Sequence, residues 1–385
     1  MTAGMQKKVF ISALEPSAEG HCANLIAAVA RKARVQNPQP QIQWTGFGGS
    51  RMQALGCTLL EDPTADAAML YNVLGRLGHY RRMIKTASQW IAENSPDLVI
   101  ICDSPAFNFH IAKAARRRGI PVLFYVAPQL WAWAPWRIHK LRRCCTRLAA
   151  ILPFEEEWFR SRGIAADFVG NPLFDDISAD PDQCRKSYAD YNPAAPRIAL
   201  LPGSRQAELT TLWPAMLDTA MKILAARQGA KFFAAAPDEN KLDSLRRTCP
   251  KNLPVEFQIG EVFDLCRRSD LTLIASGSAT LQAAAAGCPM VVMYQSSRLM
   301  WHLVGRWIIR TRYLSLVNIL ARRPLVPELM PYLPQPEKIV SACSDLLDDK
   351  AALARISSEL VDLTLPLRKT RADDTAAEIV LQMLA

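Results

Sequence analysis

The chain has 385 residues, 50% hydrophobic and 21% charged, the balance of a folded protein long enough for two ordinary domains, each with its own core. Lys and Arg number 46 against 36 Asp and Glu, a formal net charge of +10 that favours nucleic acid, acidic lipid or phosphorylated substrates without choosing among them. The ten cysteines form no CxxC pair and stand with no histidine at ligand spacing, which argues against zinc or dithiol chemistry and for reduced, buried thiols.

In chain order, the first apolar run is KVFISAL (8–14), a run of only six residues between Lys8 and Glu15, too short for a signal peptide. No later segment reaches the length of a membrane span, so the protein is expected to be soluble or to lie on a membrane. After this strand LEPSAEGH places Glu15 and Glu19 beside Ser17, acids for chemistry or parts of a helix start with Ser17 as cap. IQWTGF (42–47) is the second strand; its Gly46-Phe47-Gly48-Gly49 lacks the full dinucleotide fingerprint and the acidic follower. RLGHYRRMIK (76–85) reads as a solvated basic helix face. DLVIIC (97–102) ends immediately before Asp103, a position that suits a general base at the ligand-facing end of a sheet. It suits a helix N-cap equally well, because Ser104 and Pro105 follow. PVLFYV (121–126) leads into YVAPQLWAWAPWRIHKLRR (125–143), where Trp131, Trp133 and Trp136 stand among Arg and His. Such a run can stack bases, grip an acyl or sugar face, sit at a lipid interface, or pack as a tryptophan cluster under a loop. LAAIL (148–152) closes the first series.

The strand series breaks between about residues 171 and 195, where Pro, Asp and Asn concentrate, and resumes with RIALL (197–201), KFFAAA (231–236), VEFQI (255–259), LTLIA (271–275) and PMVVMY (289–294). Continuous apolar strands alternating with helices predict parallel sheets covered on both faces. The expected division is a first Rossmann-like domain over 1–172, a second over 173–350, and a helical segment, 351–385, that packs back on the first. LLPGSRQAEL (200–209) is a strand, a turn at Gly203 and Ser204, and a helix opening near Gln206; small residues there let backbone N–H groups approach a diphosphate, with Arg205 as clamp. An ordinary strand–helix turn with a surface arginine has the same sequence. In LIASGSATLQAAAAGCP (273–289), Ser276, Gly277 and Ser278 are expected to cap an Ala-rich helix ending at Gly287, a second such turn in one domain and hence a sign of a nucleotide site. SSRLMWHLVGRWIIRTRYLSLVN (296–318) reads as an amphipathic cationic helix, with Trp301 and Trp307 on its apolar side and Arg298, Arg306 and Arg310 supplying charge. It can dock on an anionic bilayer or be a buried helix with snorkelling arginines. The five histidines make no HxxxH or HxH group, so no metal is expected.

Taken together and in order, GFGGSRMQALGC (46–57), NVLGRL (72–77), CDSPAFN (102–108), YVAPQLWAWAPWR (125–137), ILPFEEEWF (151–159), LLPGSRQAEL, ASGSATLQ, GCPMVV (287–292) and YLSLVNILARRPLVPEL (313–329) resemble the lipid-A-disaccharide synthase family of GT-B glycosyltransferases over nearly the whole chain. The resemblance implies an α/β fold of two Rossmann-like domains facing across a cleft, and transfer of 2,3-diacylglucosamine from UDP to 2,3-diacylglucosamine 1-phosphate with inversion and a β-1,6 linkage. It implies no cofactor, no metal and no nucleic acid. The implied partners are UDP-diacylglucosamine, the acylated glucosamine 1-phosphate and an anionic membrane surface, with a homodimer as an allowed assembly. The implied location is cytoplasmic, on the inner face of the cytoplasmic membrane.

Residue by residue, Asp103 matches the family's essential aspartate. Gly203, Ser204, Arg205, Glu208, the Ser276–Ser278 turn, Gln282 and Asn318 match donor-binding elements, and Glu15, Ser17 and Glu19 match the first loop. That loop departs from the family's Gly-Glu-Thr-Ser-Gly-Asp, reading Leu14-Glu15-Pro16-Ser17-Ala18-Glu19; Gln282 stands at a usual Glu, Ala106 at a second acid and Asn171 at a usual His. The rivals are a transferase of this lineage with another acceptor, and a paralogue that binds UDP-sugar or membrane without turnover; retained Asp103 and Arg205 weigh against the latter.

Overall fold

The computed structural model describes residues 6–35, 40–66, 73–177, 179–296, 311–333 and 335–385, and divides into two compact units, Met1–Asp175 with Leu367–Ala385, and Asp176–Pro366. The first unit is built on a seven-stranded parallel sheet of β1 (Gln6–Ser12), β2 (Gln41–Phe47), β3 (Thr58–Glu61), β4 (Leu98–Cys102), β5 (Val122–Tyr125), β6 (Arg147–Ala150) and β7 (Ala166–Phe168), in the order β3-β2-β1-β4-β5-β6-β7. Every residue of β4 and β5 is buried, because helices cover both faces; this is why these strands are unbroken apolar runs rather than alternating ones. One core layer gathers Val9, Ile11, Leu25, Ile100 and Leu123, the other Phe10, Phe47, Val99, Ile101 and Phe124. Gly46 is dictated by packing: a Cβ there would lie 1.7 Å from the Ile11 carbonyl oxygen, so this glycine serves the close approach of β1 and β2.

The second unit holds a six-stranded parallel sheet of β8 (Arg197–Leu201), β9 (Lys231–Ala236), β10 (Val255–Ile259), β11 (Leu271–Ala275), β12 (Met290–Met293) and β13 (Glu328–Leu329), ordered β10-β9-β8-β11-β12-β13. Each sheet therefore reverses its strand order once, between β1 and β4 in the first and between β8 and β11 in the second. Open α/β sheets bind ligands outside the carboxyl ends of the strands at such a reversal, because the flanking loops diverge to opposite faces there.

Residues 336–385 form three helices, Pro336–Asp348, Lys350–Arg368 and Ala372–Leu384. The chain returns to the first unit at Leu367 rather than at residue 351. Up to that point the middle helix is held in the second unit: Leu353, Leu360 and Val361 are fully buried, Ser357 Oγ accepts from the Lys186 N–H, and Arg185 pairs with Asp362 at 2.7 Å. Helix Ala372–Leu384 then packs on helix Pro16–Ala33, adding Ala376, Ile379, Val380 and Leu384 to the core beneath β1. Arg31 pairs with Asp374 at 2.6 Å and Lys32 with Glu378 at 2.8 Å along its margin. Both Asp175 carboxylate oxygens accept from its first-turn N–H groups, at Ala372 (2.8 Å) and Asp373 (3.0 Å).

All ten cysteines are free, and nine are buried. Among the described residues no helix is long and apolar enough to cross a membrane.

Candidate active site

At the first reversal, β1 and β4 run side by side, with Ser12 level with Ile101, so the segments that leave them begin as neighbours. Asp103 and Ser104 both adopt left-handed backbone conformations, with φ of 50° and 41°. Each such non-glycine residue costs on the order of 1 kcal/mol or more and must be held by its surroundings. The holder is Asn108, fully buried on helix Pro105–Arg116. Its amide nitrogen donates to the carbonyls of Cys102 (3.0 Å) and Asp103 (2.8 Å), and its oxygen accepts from Ser12 Oγ at 2.8 Å. Neither Asp103 nor Ser104 caps the helix with its side chain. The Asp103 carboxylate, half-buried, accepts no hydrogen bond from any described residue.

Around it stand the residues of the first helix. Pro16 at the first helical position starts the helix two residues earlier than expected, so Ser17 lies in the first turn instead of capping it; Glu15 occupies the cap position with an exposed side chain that makes no cap bond. Glu19 is 7% exposed, and its Oε1 accepts from the backbone N–H groups of Arg51 (2.8 Å) and Met52 (3.3 Å). That carboxylate is committed to the start of helix Ser50–Ala54. His21, two residues on, is mostly buried; burial holds its imidazole below the ordinary value, Asp103 raises it and Arg51 lowers it further. The imidazole thus lies within electrostatic reach of both, and Arg51 lies over the helix at Gly20, where a Cβ would come 2.9 Å from the guanidinium.

At the second reversal, Leu201 of β8 is level with Ile274 of β11. Gly203, at φ 103°, makes the turn after β8; a Cβ there would lie 2.3 Å from the Glu208 carboxylate. Glu208 Oε2 accepts from the N–H groups of both Ser204 and Arg205 at 3.1 Å. Two amides expected to face a diphosphate are therefore taken by Glu208, and helix Gln206–Ala226 begins from a self-capped turn. The Arg205 side chain is 78% exposed, with Glu208 Oε1 as its ion-pair partner at 3.7 Å. Beside it, Gly277 and Ser278 are exposed and Ser276 is half-buried, and no atom comes within 4 Å of a Cβ built on Gly277. Helix Ala279–Ala285 is shorter than the sequence suggests and Ser278 makes no side-chain cap; Gln282, half-buried, lies one turn on from Ser278.

Asn318, expected near the donor, is 1% exposed; its amide donates to the Val326 carbonyl (2.9 Å) and accepts from the Val326 N–H (3.0 Å). Its polar atoms staple helix Leu316–Ala321 to the approach of β13, and Glu328 reinforces the staple by accepting from the N–H groups of Leu314 and Ser315. The cationic segment with Arg298, Trp301, Arg306, Trp307 and Arg310 lies outside the described residues. The tryptophan run divides: Trp131 is 7% exposed and donates its Nε1–H to Glu155 at 2.8 Å, whereas Trp133 and Trp136 are 39% and 56% exposed. Burial pushes the Glu155 carboxyl up to about 7 against the pull of Trp131 and the Leu152 and Ile151 amides. Among the described residues no group of three His, Cys, Asp or Glu side chains could hold a metal ion.

At the two strand-order reversals thus stand Asp103 in the first unit, whose carboxylate accepts no hydrogen bond from a described residue, and the mostly exposed Arg205 in the second, paired only with Glu208 of its own turn. A profile of lipid-A-disaccharide synthetases matches residues 9–380. Lipid-A-disaccharide synthase of Myxococcus xanthus is 33% identical over 380 residues, covering 98% of this chain and 97% of its own, and that of Azotobacter vinelandii is 35% identical over 351 residues, covering 90% and 91%. The chain belongs to the lipid-A-disaccharide synthase family. It is accordingly a glycosyltransferase of lipid A synthesis. Solved structures agree on the fold: a UDP-GlcNAc 2-epimerase of Methanocaldococcus jannaschii in complex with UDP-GlcNAc and UDP superposes with a TM-score of 0.61 at 13% identity, covering 98% of this chain and 100% of its own. The calicheamicin glycosyltransferase CalG4 gives 0.60 at 17%, covering 99% and 98%. Two parallel-sheet units of this kind make the GT-B fold of the family.

Proposed function

We propose that this family member transfers 2,3-diacylglucosamine from UDP-2,3-diacylglucosamine to 2,3-diacylglucosamine 1-phosphate. The 6-hydroxyl oxygen of the acceptor bonds to the anomeric carbon, the bond from that carbon to the UDP oxygen breaks with inversion, and the hydroxyl proton passes to Asp103. The observation that carries the reading is the Asp103 carboxylate, fixed by its backbone at the β1/β4 reversal and bound to no described group. The His21 imidazole, whose pKa burial lowers, and the Arg51 charge support an anion-handling site around it. Arg205 holds the diphosphate and stabilises the charge that develops on departing UDP, with the Ser276–Ser278 turn and Gln282 on the adjacent strand end. Glu15 and Ser17 face the acceptor side.

A lipid acceptor places the enzyme on the inner face of the cytoplasmic membrane, where segment 296–313 supplies one lipid contact. Transfer to a different lipid acceptor is the second reading, favoured by the first loop: Pro16 opens the helix, and Ala18, at a family glycine, is 1% exposed.

Incubation of the purified chain with UDP-diacylglucosamine and a panel of lipid acceptors, followed by mass spectrometry, is expected to yield the acylated disaccharide 1-phosphate and UDP. A product from another acceptor only selects the second reading, and no UDP release with any acceptor removes both. Arg205→Ala is expected to weaken UDP binding about ten- to a hundredfold, since charge-assisted hydrogen bonds contribute about 1.5–3 kcal/mol. Its side chain is mostly exposed, so thermal stability should hardly change. Calorimetry showing unaltered UDP affinity moves the nucleotide site elsewhere.

A further inference from the structure

Asp103 and Val126 are the first residues beyond β4 and β5, whose last residues, Cys102 and Tyr125, are partners in register. The segment that Val126 opens, 126–137, therefore leaves the sheet edge directly beside Asp103. Val126 is left-handed at φ 61°, and Ala134 at φ 53°. For a β-branched residue that conformation is a genuine departure and needs a holder. The N–H groups of Leu130, Ala132, Trp133 and Arg137 donate within the segment itself.

Glu155 ties the segment down from the other side. It stands in the first turn of helix Pro153–Arg160, which follows β6, the neighbour of β5 on the side away from β4. Its side chain is fully buried and uses both oxygens. Oε2 accepts from the N–H groups of Ile151 and Leu152, both at 3.0 Å, and completes its own helix start. Oε1 accepts from Trp131 Nε1–H at 2.8 Å, and the Trp131 ring stands edge-on to Phe154 with centroids 4.8 Å apart. An apolar side chain would fill this place without the desolvation cost that pushes the Glu155 carboxyl up to about 7. What an acceptor adds is direction: it fixes the indole N–H, and with it the course of the segment. Trp133 and Trp136 follow as exposed rings, the Arg137 guanidinium 5.0 Å from that of Trp133. Such indoles offer broad apolar faces to hydrocarbon and to the C–H face of a sugar.

We infer that Glu155 is a positioning residue for the transfer: by holding Trp131 it sets the segment that brings Trp133 and Trp136 beside Asp103, where the two indoles receive the acyl chains of the acceptor. The inference rests on the proposed reading, in which that acceptor is an acylated sugar.

The test is steady-state kinetics with acceptor varied at saturating donor, well above pH 7 so that the buried carboxyl is ionised. Trp131→Phe keeps a ring against Phe154 and leaves the helix start intact, removing the N–H. Glu155→Gln keeps one oxygen for the Ile151 and Leu152 amides and turns an N–H against the indole. Each is expected to raise the acceptor KM about tenfold, the size of one charge-assisted hydrogen bond, with kcat within about threefold of wild type and UDP affinity unchanged. The double variant should also stand at about tenfold rather than about a hundredfold, because both changes cut one bond. Trp133→Ala/Trp136→Ala should raise KM roughly tenfold for the long-chain acceptor and hardly at all for one carrying acetyl groups instead. Circular dichroism checks that each variant folds; if Glu155→Gln does not, Trp131→Phe is read alone.

A folded Trp131→Phe enzyme with unchanged acceptor KM overturns the inference and leaves Glu155 a helix cap. So do losses that multiply in the double variant, or a tryptophan pair whose removal costs short- and long-chain acceptors alike. Acceptor affinity is read in parallel by calorimetry, without turnover. A wild type that binds the acylated sugar phosphate but transfers nothing removes only the proposed reaction, and the variants are then compared by affinity. One that neither binds nor transfers it removes both.

Discussion

Asp103→Asn is expected to lower turnover by about 10²–10⁴-fold, the usual contribution of a general base, while UDP affinity stays within error of wild type. Asparagine is the informative replacement because of the backbone. Position 103 has φ 50°, a conformation that Asn adopts more readily than any other residue except glycine, so the substitution leaves the turn in place and removes only the capacity to accept a proton. The Cys102 and Asp103 carbonyls still receive the Asn108 amide. Loss of rate in this variant thus reports chemistry. Product formation under saturating donor, with UDP affinity measured by calorimetry, checks both halves. A variant that turns over at close to the wild-type rate shows that Asp103 is not the base and that the carboxylate at this strand end serves something else.

The second large effect is expected at Asn108, which touches no ligand in the proposed mechanism. Asn108→Ala leaves Ser12 Oγ and the Cys102 and Asp103 carbonyls without their partner in a fully buried position, and frees a two-residue left-handed segment to relax. An unsatisfied buried polar group costs about 1–3 kcal/mol, so the first unit should lose about 2–4 kcal/mol and its melting temperature about 5–15 °C. Below that transition the variant should still bind UDP, and its residual rate should fall in kcat more than in KM, because the Asp103 carboxylate is misplaced rather than removed. Ser12→Ala, which deletes one bond of the three, is the milder companion. A full-rate Asn108→Ala enzyme, or one with unchanged melting, would mean that the turn holds itself.

Of the thirteen strands among the described residues, ten are legible as apolar runs, and the other three have a common cause. Thr58–Glu61, Ala166–Phe168 and Glu328–Leu329 are three of the four sheet edges; they are short and mostly half-covered, so burial writes no continuous pattern into them. The positions of Asp103 and Arg205 were legible because a strand end followed by a turn is a local feature. What Glu19, Glu208 and Asn318 do was not. Each is expected among the site residues, and in the structure each accepts from backbone N–H groups of the nearby chain. Asn108 and His21 carry no local sign of what they do, for the converse reason: their importance comes from the β1–β4 adjacency, which joins residues about ninety positions apart. The tryptophan run admits a packing reading and several surface readings, and the fold divides its members between them, Trp131 buried and Trp133 and Trp136 exposed.

The discontinuous first unit has a consequence for how the chain is made. Its core beneath β1 contains Ala376, Ile379, Val380 and Leu384, and its last helix is held at the start by Asp175. Domains ordinarily fold in the order in which they leave the ribosome. Here the second unit, Asp176–Pro366, can close while the first still exposes the face of helix Pro16–Ala33 that residues 372–384 will cover. Synthesis therefore delivers the later unit finished and the earlier one waiting, and during that interval the apolar face of helix Pro16–Ala33 is the surface most in need of a chaperone.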